Sequence, residues 1–114
     1  MILLIGPLHG GKRDYACALL GCGRDELGRY TCWDVQERAA GCENLEALAR
    51  ELSAWPVVIA TETGGGVVPL DEGAREAREA AGQLLCLLAR RADRVVRVFY
   101  GLPLTLKENG AEDV

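Results

Sequence analysis

The sequence contains few residues that could form a metal site or a disulfide framework. It has a single histidine, and its five cysteines include no pair in a CxxC spacing. A zinc site needs several closely spaced cysteine and histidine ligands, so this pattern argues against one. The cysteines are predicted to be reduced thiols of a cytoplasmic protein. Cys17 and Cys86 lie in apolar helical patterns and are predicted to be small core residues.

Long apolar runs and an excess of basic charge are also missing. No segment approaches the ~20 apolar residues of a membrane span. The apolar residues 2–5 have no basic flank, so we expect no signal peptide. With 17 acidic and 13 basic residues, the chain has a net charge of −4 and no basic stripe, which argues against a nucleic-acid partner. An anionic ligand would need a positive site built locally.

Apolar segments alternate with helical periodicities along the chain. The predicted strands cover residues 2–5, 29–33, 56–60 and 94–100. The predicted helices cover residues 12–20, 35–52 with an interruption near Gly41, and 72–92. Asp34 precedes Glu37 with capping-box spacing and is predicted to cap a helix, and Asp71 is predicted to cap the third helix. A chain of 114 residues is long enough for one core. We therefore predict a single domain over residues 1–107 and a polar tail over residues 108–114.

A glycine loop follows the first predicted strand and leads into the first predicted helix. Residues 6–12, GPLHGGK, fit the phosphate-loop pattern GxxxxGK. In such a loop the backbone N–H groups of Gly6, His9, Gly10 and Gly11 turn toward phosphate oxygens, and the helix N-terminus adds partial positive charge. Lys12 adds a full charge near the terminal phosphates. The motif and the element order together predict an α/β fold with a P-loop-type parallel sheet of about four strands and helices on both faces.

The residue after the lysine departs from the pattern. Arg13 stands where a serine or threonine hydroxyl usually ligates magnesium, and a guanidinium cannot do so. Arg13 is assigned to the nucleotide site as an added positive charge. An alternative is that Gly10 and Gly11 only make a tight turn, with Lys12 and Arg13 solvated. His9 is interpreted as a loop residue that contributes chiefly its backbone N–H.

A second glycine-rich loop follows the third predicted strand. Glu62 stands at the end of that strand, where ligands of open α/β sheets bind. Its carboxylate could position a hydroxyl for phosphoryl transfer or hold a metal ion, and the alternative is a solvated loop glutamate. Gly64, Gly65, Gly66 and Pro69 form the rest of the loop and are assigned to the substrate. Asp34 is a second candidate metal ligand, although its capping position favours the structural role.

The segment ETGGGVVP and the later LLARRADRVVRVFYGLPLTLK resemble one family. This is the bifunctional adenosylcobinamide kinase / adenosylcobinamide-phosphate guanylyltransferase family of cobalamin biosynthesis. The matched positions are those of a glutamate-x-glycine-x-glycine-x-valine-proline segment, an ADxV helix end and a GLPLxLK terminus. The resemblance is strong over residues 57–107, partial over residues 1–20 and weak between them.

The resemblance implies a kinase that uses GTP or ATP, with Mg²⁺ as a further cofactor, to phosphorylate the aminopropanol hydroxyl of adenosylcobinamide. Lys12 and Glu62 would be its catalytic residues. Members of the family also carry a histidine that is guanylylated, in a central segment that has no counterpart here, and the only histidine of this chain lies in the glycine loop. We therefore expect the guanylyl transfer step to be weak or absent.

Two other functions stay open at this stage. A non-catalytic protein or subunit that binds nucleotide or corrinoid would agree with the missing hydroxyl and histidine. A small α/β protein without a nucleotide site would contradict both ligand-loop motifs. By resemblance to the family we also expect a homo-oligomer.

Overall fold

The fold is a five-stranded mixed sheet with helices on both faces. The structure, a computed structural model, describes residues 1–62 and 72–108. The strands are β1 (Ile2–Gly6), β2 (Thr31–Cys32), β3 (Val57–Thr61), β4 (Arg94–Phe99) and β5 (Leu102–Glu108). The helices are α1 (Lys12–Leu20), α2 (Leu45–Leu52) and α3 (Glu72–Arg91), with short 3₁₀ helices at Arg24–Arg29 and Val35–Arg38. The α/β prediction is confirmed, as are the positions of α1 and α3. The second predicted helix is confirmed only from Leu45 onward, because its first part is the 3₁₀ helix Val35–Arg38.

The sheet has the order β2-β3-β1-β4-β5. The first four strands are parallel and β5 is antiparallel to β4. After β1 the chain crosses toward one edge of the sheet, to β2. After β3 it crosses in the opposite direction, past β1, to β4. Because parallel crossovers are right-handed, this reversal places α1 on one face and α2 and α3 on the opposite face. The carboxyl ends of β1 and β3 meet at the point of reversal, where open α/β sheets bind ligands.

Alternating strand residues supply the core on each face. Leu4 and Ile59 lie in the cluster with Ala16 of α1, whereas Leu3 and Val58 lie in the cluster formed with α2 and α3. Their burial explains why these strands are almost continuously apolar in sequence. The sheet is therefore packed on both faces beneath the carboxyl ends of β1 and β3.

The fifth strand was not predicted. Tyr100 and Gly101 both have positive φ values, and they connect Phe99 to its partner Leu102 in a two-residue hairpin. This conformation agrees with the twist of a β-hairpin and favours glycine. Pro103 obscured the strand in the sequence, but proline is tolerated in an edge strand such as β5.

Two further expectations were wrong. Asp34 precedes a 3₁₀ helix, yet its side chain makes no capping hydrogen bond, because the carboxylate is engaged with β3. Cys86 is exposed, whereas Cys17 packs against the α1 core. All five cysteines are free thiols. The predicted cap Asp71 lies outside the described residues.

Helix α3 shows its predicted apolar face through the buried Ala81, Leu84 and Leu88. No helix in the described parts of the chain is long and apolar enough to cross a membrane.

Candidate functional site: the glycine loop and its cleft

The glycine loop connects the carboxyl end of β1 to the first turn of α1. The N–H of Gly10 donates to the carbonyl of Pro7 at 3.0 Å, which closes the loop into a turn. Gly11 precedes α1 with φ 93°, a left-handed conformation that glycine adopts without strain. Lys12 is then the first residue of the helix. The predicted phosphate-loop context, strand then glycine loop then helix, is present.

The loop packs directly on β4 and on the β4–β5 turn. A Cβ atom at Gly6 would collide with the carbonyl oxygen of Val98, and a Cβ at Gly10 would lie 2.9 Å from the same oxygen. The N–H of Gly101 donates to the carbonyl of Gly10 at 2.8 Å. The GLPL segment of the sequence therefore supports the loop from behind and helps fix its shape.

Lys12 is buried, with 6% of its surface exposed. Its Nζ donates to the carbonyl oxygens of Pro7 at 2.8 Å and Gly6 at 3.2 Å. Burial lowers the pKa of Lys12 below the ordinary value of 10.5, while the carboxylates of Asp34 and Glu62 act in the opposite direction. A solvated Lys12, as in the simple-turn alternative, is therefore wrong. The ammonium group is held at the loop, on partners that a phosphate could replace.

A cleft of about 440 Å³ opens beside Lys12. His9, Arg13 and Asp34 line it together with other loop and wall residues, namely Leu8, Gly10, Gly11, Asp14, Arg24, Trp33 and Thr61. His9 is exposed and has a φ of 61°. The structure thus brings the predicted nucleotide-binding residues other than Gly6 to one concave surface.

Arg13 lies over an anchored tryptophan at the cleft. Its guanidinium carbon is 5.4 Å from the Trp33 ring centroid, within cation–π range. The Trp33 Nε1 donates to the Thr31 hydroxyl at 2.8 Å, and that hydroxyl donates to the Leu27 carbonyl at 2.6 Å. Sequence reasoning left the role of Trp33 undecided, because a tryptophan after a short strand can equally be core or interface.

Asp34 and Gln36 together hold the end of β3. The Thr61 hydroxyl donates to Asp34 Oδ1 at 2.7 Å, and the Thr61 N–H donates to Gln36 Oε1 at 3.0 Å. Asp34 has a left-handed φ of 52°, which turns its carboxylate from the helix toward the strand end. This bond explains why the predicted cap is absent.

Glu62 forms a bidentate ion pair with Arg97 of β4. Nε and Nη2 of Arg97 donate to the two carboxylate oxygens of Glu62, each at 2.8 Å. The Glu62 N–H donates to the Gly6 carbonyl at 2.8 Å, so its backbone is joined to the start of the glycine loop. The solvated-glutamate alternative is wrong. Glu62 borders the cleft without lining it, since its side chain turns toward β4.

The donor set of these residues does not fit a magnesium ion held by the protein. The Arg97 guanidinium pairs with both oxygens of Glu62, and its positive charge would repel a cation there. One oxygen of Asp34 accepts from Thr61, and Arg13 replaces the usual hydroxyl ligand. Within residues 1–62 and 72–108, no three histidine, cysteine, aspartate or glutamate side chains are grouped as a metal site. We derive no step through a metal ion.

Sequence reasoning missed the contributions of Thr61, Arg97 and Gly101. Arg97 left a signal as a charged residue inside a largely apolar strand, and Gly101 left one as the first residue of the GLPLxLK motif. The substrate-loop residues Gly64, Gly65, Gly66 and Pro69 lie outside the described part of the chain.

Comparison with known proteins agrees with this architecture. The family model described as cobinamide kinase / cobinamide phosphate guanyltransferase matches residues 8–106. A curated relative, the bifunctional adenosylcobalamin biosynthesis protein CobP of Pseudomonas aeruginosa, is 38% identical over 109 residues. The match covers 93% of this chain and 62% of the relative, so the chain spans less than two thirds of that protein. The chain belongs to the cobinamide kinase / cobinamide phosphate guanyltransferase family.

Proposed function

We propose that this protein is a nucleotide-dependent adenosylcobinamide kinase. It would transfer the terminal phosphoryl group of GTP or ATP to the aminopropanol hydroxyl of adenosylcobinamide. The observation that carries the proposal is the buried ammonium of Lys12, held by loop carbonyls beside an open cleft. A buried charge is costly unless it has a partner of opposite charge, and a phosphate supplies one.

The donor phosphates would bind in the glycine loop. Backbone N–H groups at residues 9–12 and the N-terminus of α1 favour negative charge there. Lys12 would exchange the carbonyls of Gly6 and Pro7 for phosphate oxygens. Arg13, held on Trp33 at the cleft wall, would add a second positive charge, so we expect nucleotide to bind without added magnesium.

The acceptor hydroxyl would lie near Glu62, at the joined ends of β1 and β3. Each carboxylate oxygen has two lone pairs, so the two bonds from Arg97 leave Glu62 able to accept a hydrogen bond from the hydroxyl. In the transfer, the hydroxyl oxygen bonds to the terminal phosphorus, and its proton passes to an oxygen of the transferred phosphoryl group. The bond from that phosphorus to the bridging oxygen breaks, and a nucleoside diphosphate leaves.

Guanylyl transfer is not part of the proposal. The only histidine of the chain, His9, lies in the glycine loop, where its backbone would face phosphate. After incubation with GTP, the intact mass of the protein should be unchanged. A covalent GMP adduct would contradict this restriction.

The proposed setting is the cytoplasm, which agrees with five free thiols. We also propose that the protein forms a homo-oligomer.

Calorimetric titration with GTP and ATP, with and without magnesium, tests the site. Lys12→Ala should weaken binding at least tenfold, because each lost charge-assisted bond to phosphate costs about 1.5–3 kcal/mol. Arg50→Gln is a matched control, since Arg50 is an exposed cation of α2 outside the cleft lining. If wild-type protein that is folded binds neither nucleotide, the proposal fails.

A turnover assay with adenosylcobinamide then separates catalysis from binding alone. Appearance of the phosphorylated corrinoid supports the kinase. Binding that depends on Lys12 without any turnover would instead support the alternative function, a non-catalytic nucleotide- or corrinoid-binding subunit.

A further inference from the structure

Arg97 lies outside the phosphate loop, yet it controls a charge beside that loop. We infer that Arg97 is a positioning residue, which holds the Glu62 carboxylate toward β4 and prevents its negative charge from competing with phosphate for Lys12. The inference rests on the proposed function for the identity of the anionic ligand.

The ion pair connects the two strands that flank β1. Glu62 directly follows β3, Arg97 lies in β4, and β1 with its glycine loop lies between these strands in the sheet. Two parallel bonds of 2.8 Å fix both carboxylate oxygens, and this planar geometry is specific to arginine. The pairing raises the pKa of Arg97, first through the hydrogen bonds and then through the charge of Glu62.

A second contact holds the guanidinium itself. The Arg97 guanidinium carbon is 5.1 Å from the Phe99 ring centroid, within cation–π range. Phe99 in turn packs edge-on against Tyr100, with 4.4 Å between the ring centroids. The Arg97 guanidinium therefore contacts the Phe99 ring as well as Glu62, so the positive group that pairs with the carboxylate is positioned by two contacts.

The electrostatic consequence follows from where Glu62 is attached. Its N–H is bonded to the carbonyl of Gly6, so the residue cannot move far from the loop. The Glu62 carboxylate already affects the pKa of Lys12. Without Arg97, this carboxylate would be free to pair with Lys12 and would repel an incoming phosphate. Removing the glutamate charge should cancel the effect of removing the arginine.

A double-mutant cycle measured by nucleotide binding tests this point. The proteins are wild type, Arg97→Gln, Glu62→Gln and the double variant Arg97→Gln/Glu62→Gln, each titrated with ATP and GTP. Arg97→Gln should weaken nucleotide binding about tenfold, as expected for one uncompensated charge close to phosphate. Glu62→Gln should bind at least as tightly as wild type, and the double variant should return to within about threefold of wild type. Arg50→Gln controls for the change in net charge.

Arg97→Lys separates charge from orientation. Lysine keeps the positive charge but cannot hold both carboxylate oxygens in one plane. We expect its nucleotide affinity to stay within about threefold of wild type while kcat for corrinoid phosphorylation falls at least tenfold. Thermal unfolding of each variant shows that the loss is not one of folding.

The variants test the role of Arg97, whereas nucleotide binding by the wild type tests the proposed function. If the double variant binds as weakly as Arg97→Gln, Arg97 contacts the phosphate directly and the inference is overturned. If Arg97→Gln binds as wild type, the inference is overturned as well. If the wild type binds no nucleotide, the proposed function fails, and the inference fails with it.

Discussion

The ammonium of Lys12 is the charge that phosphate binding would use, but its burial destabilises the folded protein. The side chain is almost fully buried at the start of α1, and desolvation lowers its pKa despite two nearby carboxylates. Its hydrogen bonds to two loop carbonyls hold the ammonium in place without an anion. A site of this kind is prepared for a negatively charged ligand before that ligand arrives.

The lowered pKa of Lys12 predicts how nucleotide affinity depends on pH. Binding uses the protonated ammonium, so affinity is complete below the pKa of Lys12 and falls as pH rises through it. Because that pKa lies below 10.5, the fall should begin at a lower pH than for an ordinary lysine. Calorimetry over about pH 7 to 10 measures it.

The lowered pKa of Lys12 also affects folding stability, which should rise with pH where nucleotide affinity falls. Between the folded and unfolded pKa values, the unfolded chain binds more protons at Lys12, so its contribution to the free energy of unfolding rises with pH. Lys12→Ala is the control for both measurements. An alkaline fall in affinity that persists in this variant would contradict the assignment to Lys12.

At the scale of elements, the glycine loop and the β4–β5 hairpin form one packed unit. Gly6 and Gly10 lie against the Val98 carbonyl, and Gly101 donates to Gly10. The separation of these segments along the chain hides their contact. A sequence shows that the loop needs glycine for its backbone conformation, but it does not show that the backbone of β4 approaches so closely.

A glycine comparison tests this packing. Gly6→Ala places a Cβ against the main-chain oxygen of Val98, which cannot rotate away, so we expect a loss of about 1–3 kcal/mol in the free energy of unfolding. Gly82→Ala is the matched control at an exposed position of helix α3, where no described atom lies within 4 Å of the added Cβ. It should stabilise the protein by about 0.5–1 kcal/mol.

Urea unfolding of the two variants gives both values. If Gly6→Ala is as stable as wild type, the close approach of the loop to β4 is not maintained in solution. Nucleotide binding should also weaken in Gly6→Ala, because the loop cannot keep its shape, and should be unchanged in Gly82→Ala.

The sequence was informative where one local pattern determines the structure. The apolar period placed α2 and α3, and GxxxxGK placed the phosphate loop between β1 and α1. It was uninformative where two distant segments meet. The capping-box spacing of Asp34 suggested a cap, but the Thr61 hydroxyl supplied a stronger partner from 27 residues away. Arg97 and Glu62, 35 residues apart, show the same limit.

At the scale of the whole molecule, the two edges of the sheet are different. β2 contains only two residues, whereas β5 contains seven. Leu102, Leu104 and Leu106 of β5 are 71%, 59% and 55% exposed. Within the described ranges, no strand pairs with the outer side of β5. A long apolar edge with unpaired backbone groups is suited to pair with another strand.

We propose that this edge pairs with a second copy of the chain. Two β5 strands related by a two-fold axis would pair antiparallel, so each edge would supply the donors and acceptors that the other needs. The same leucines would be buried on both sides of the axis. We therefore expect the wild-type protein to have a mass in solution that is a multiple of 12.3 kDa.

Leu104→Lys should convert this assembly to monomers. The substitution places a charge at the centre of the edge, where it would oppose its symmetry mate and remain poorly solvated. Light scattering coupled to size exclusion measures the mass, and Ala54→Lys, at an exposed position outside the sheet, controls for the added charge. A wild type that stays at 12.3 kDa over a broad concentration range, or a Leu104→Lys variant with the wild-type mass, would rule out this interface.

Because β4 and the hairpin turn also hold Arg97 and the glycine loop, loss of the β5 contact should weaken nucleotide binding even though Leu104 lies outside the cleft.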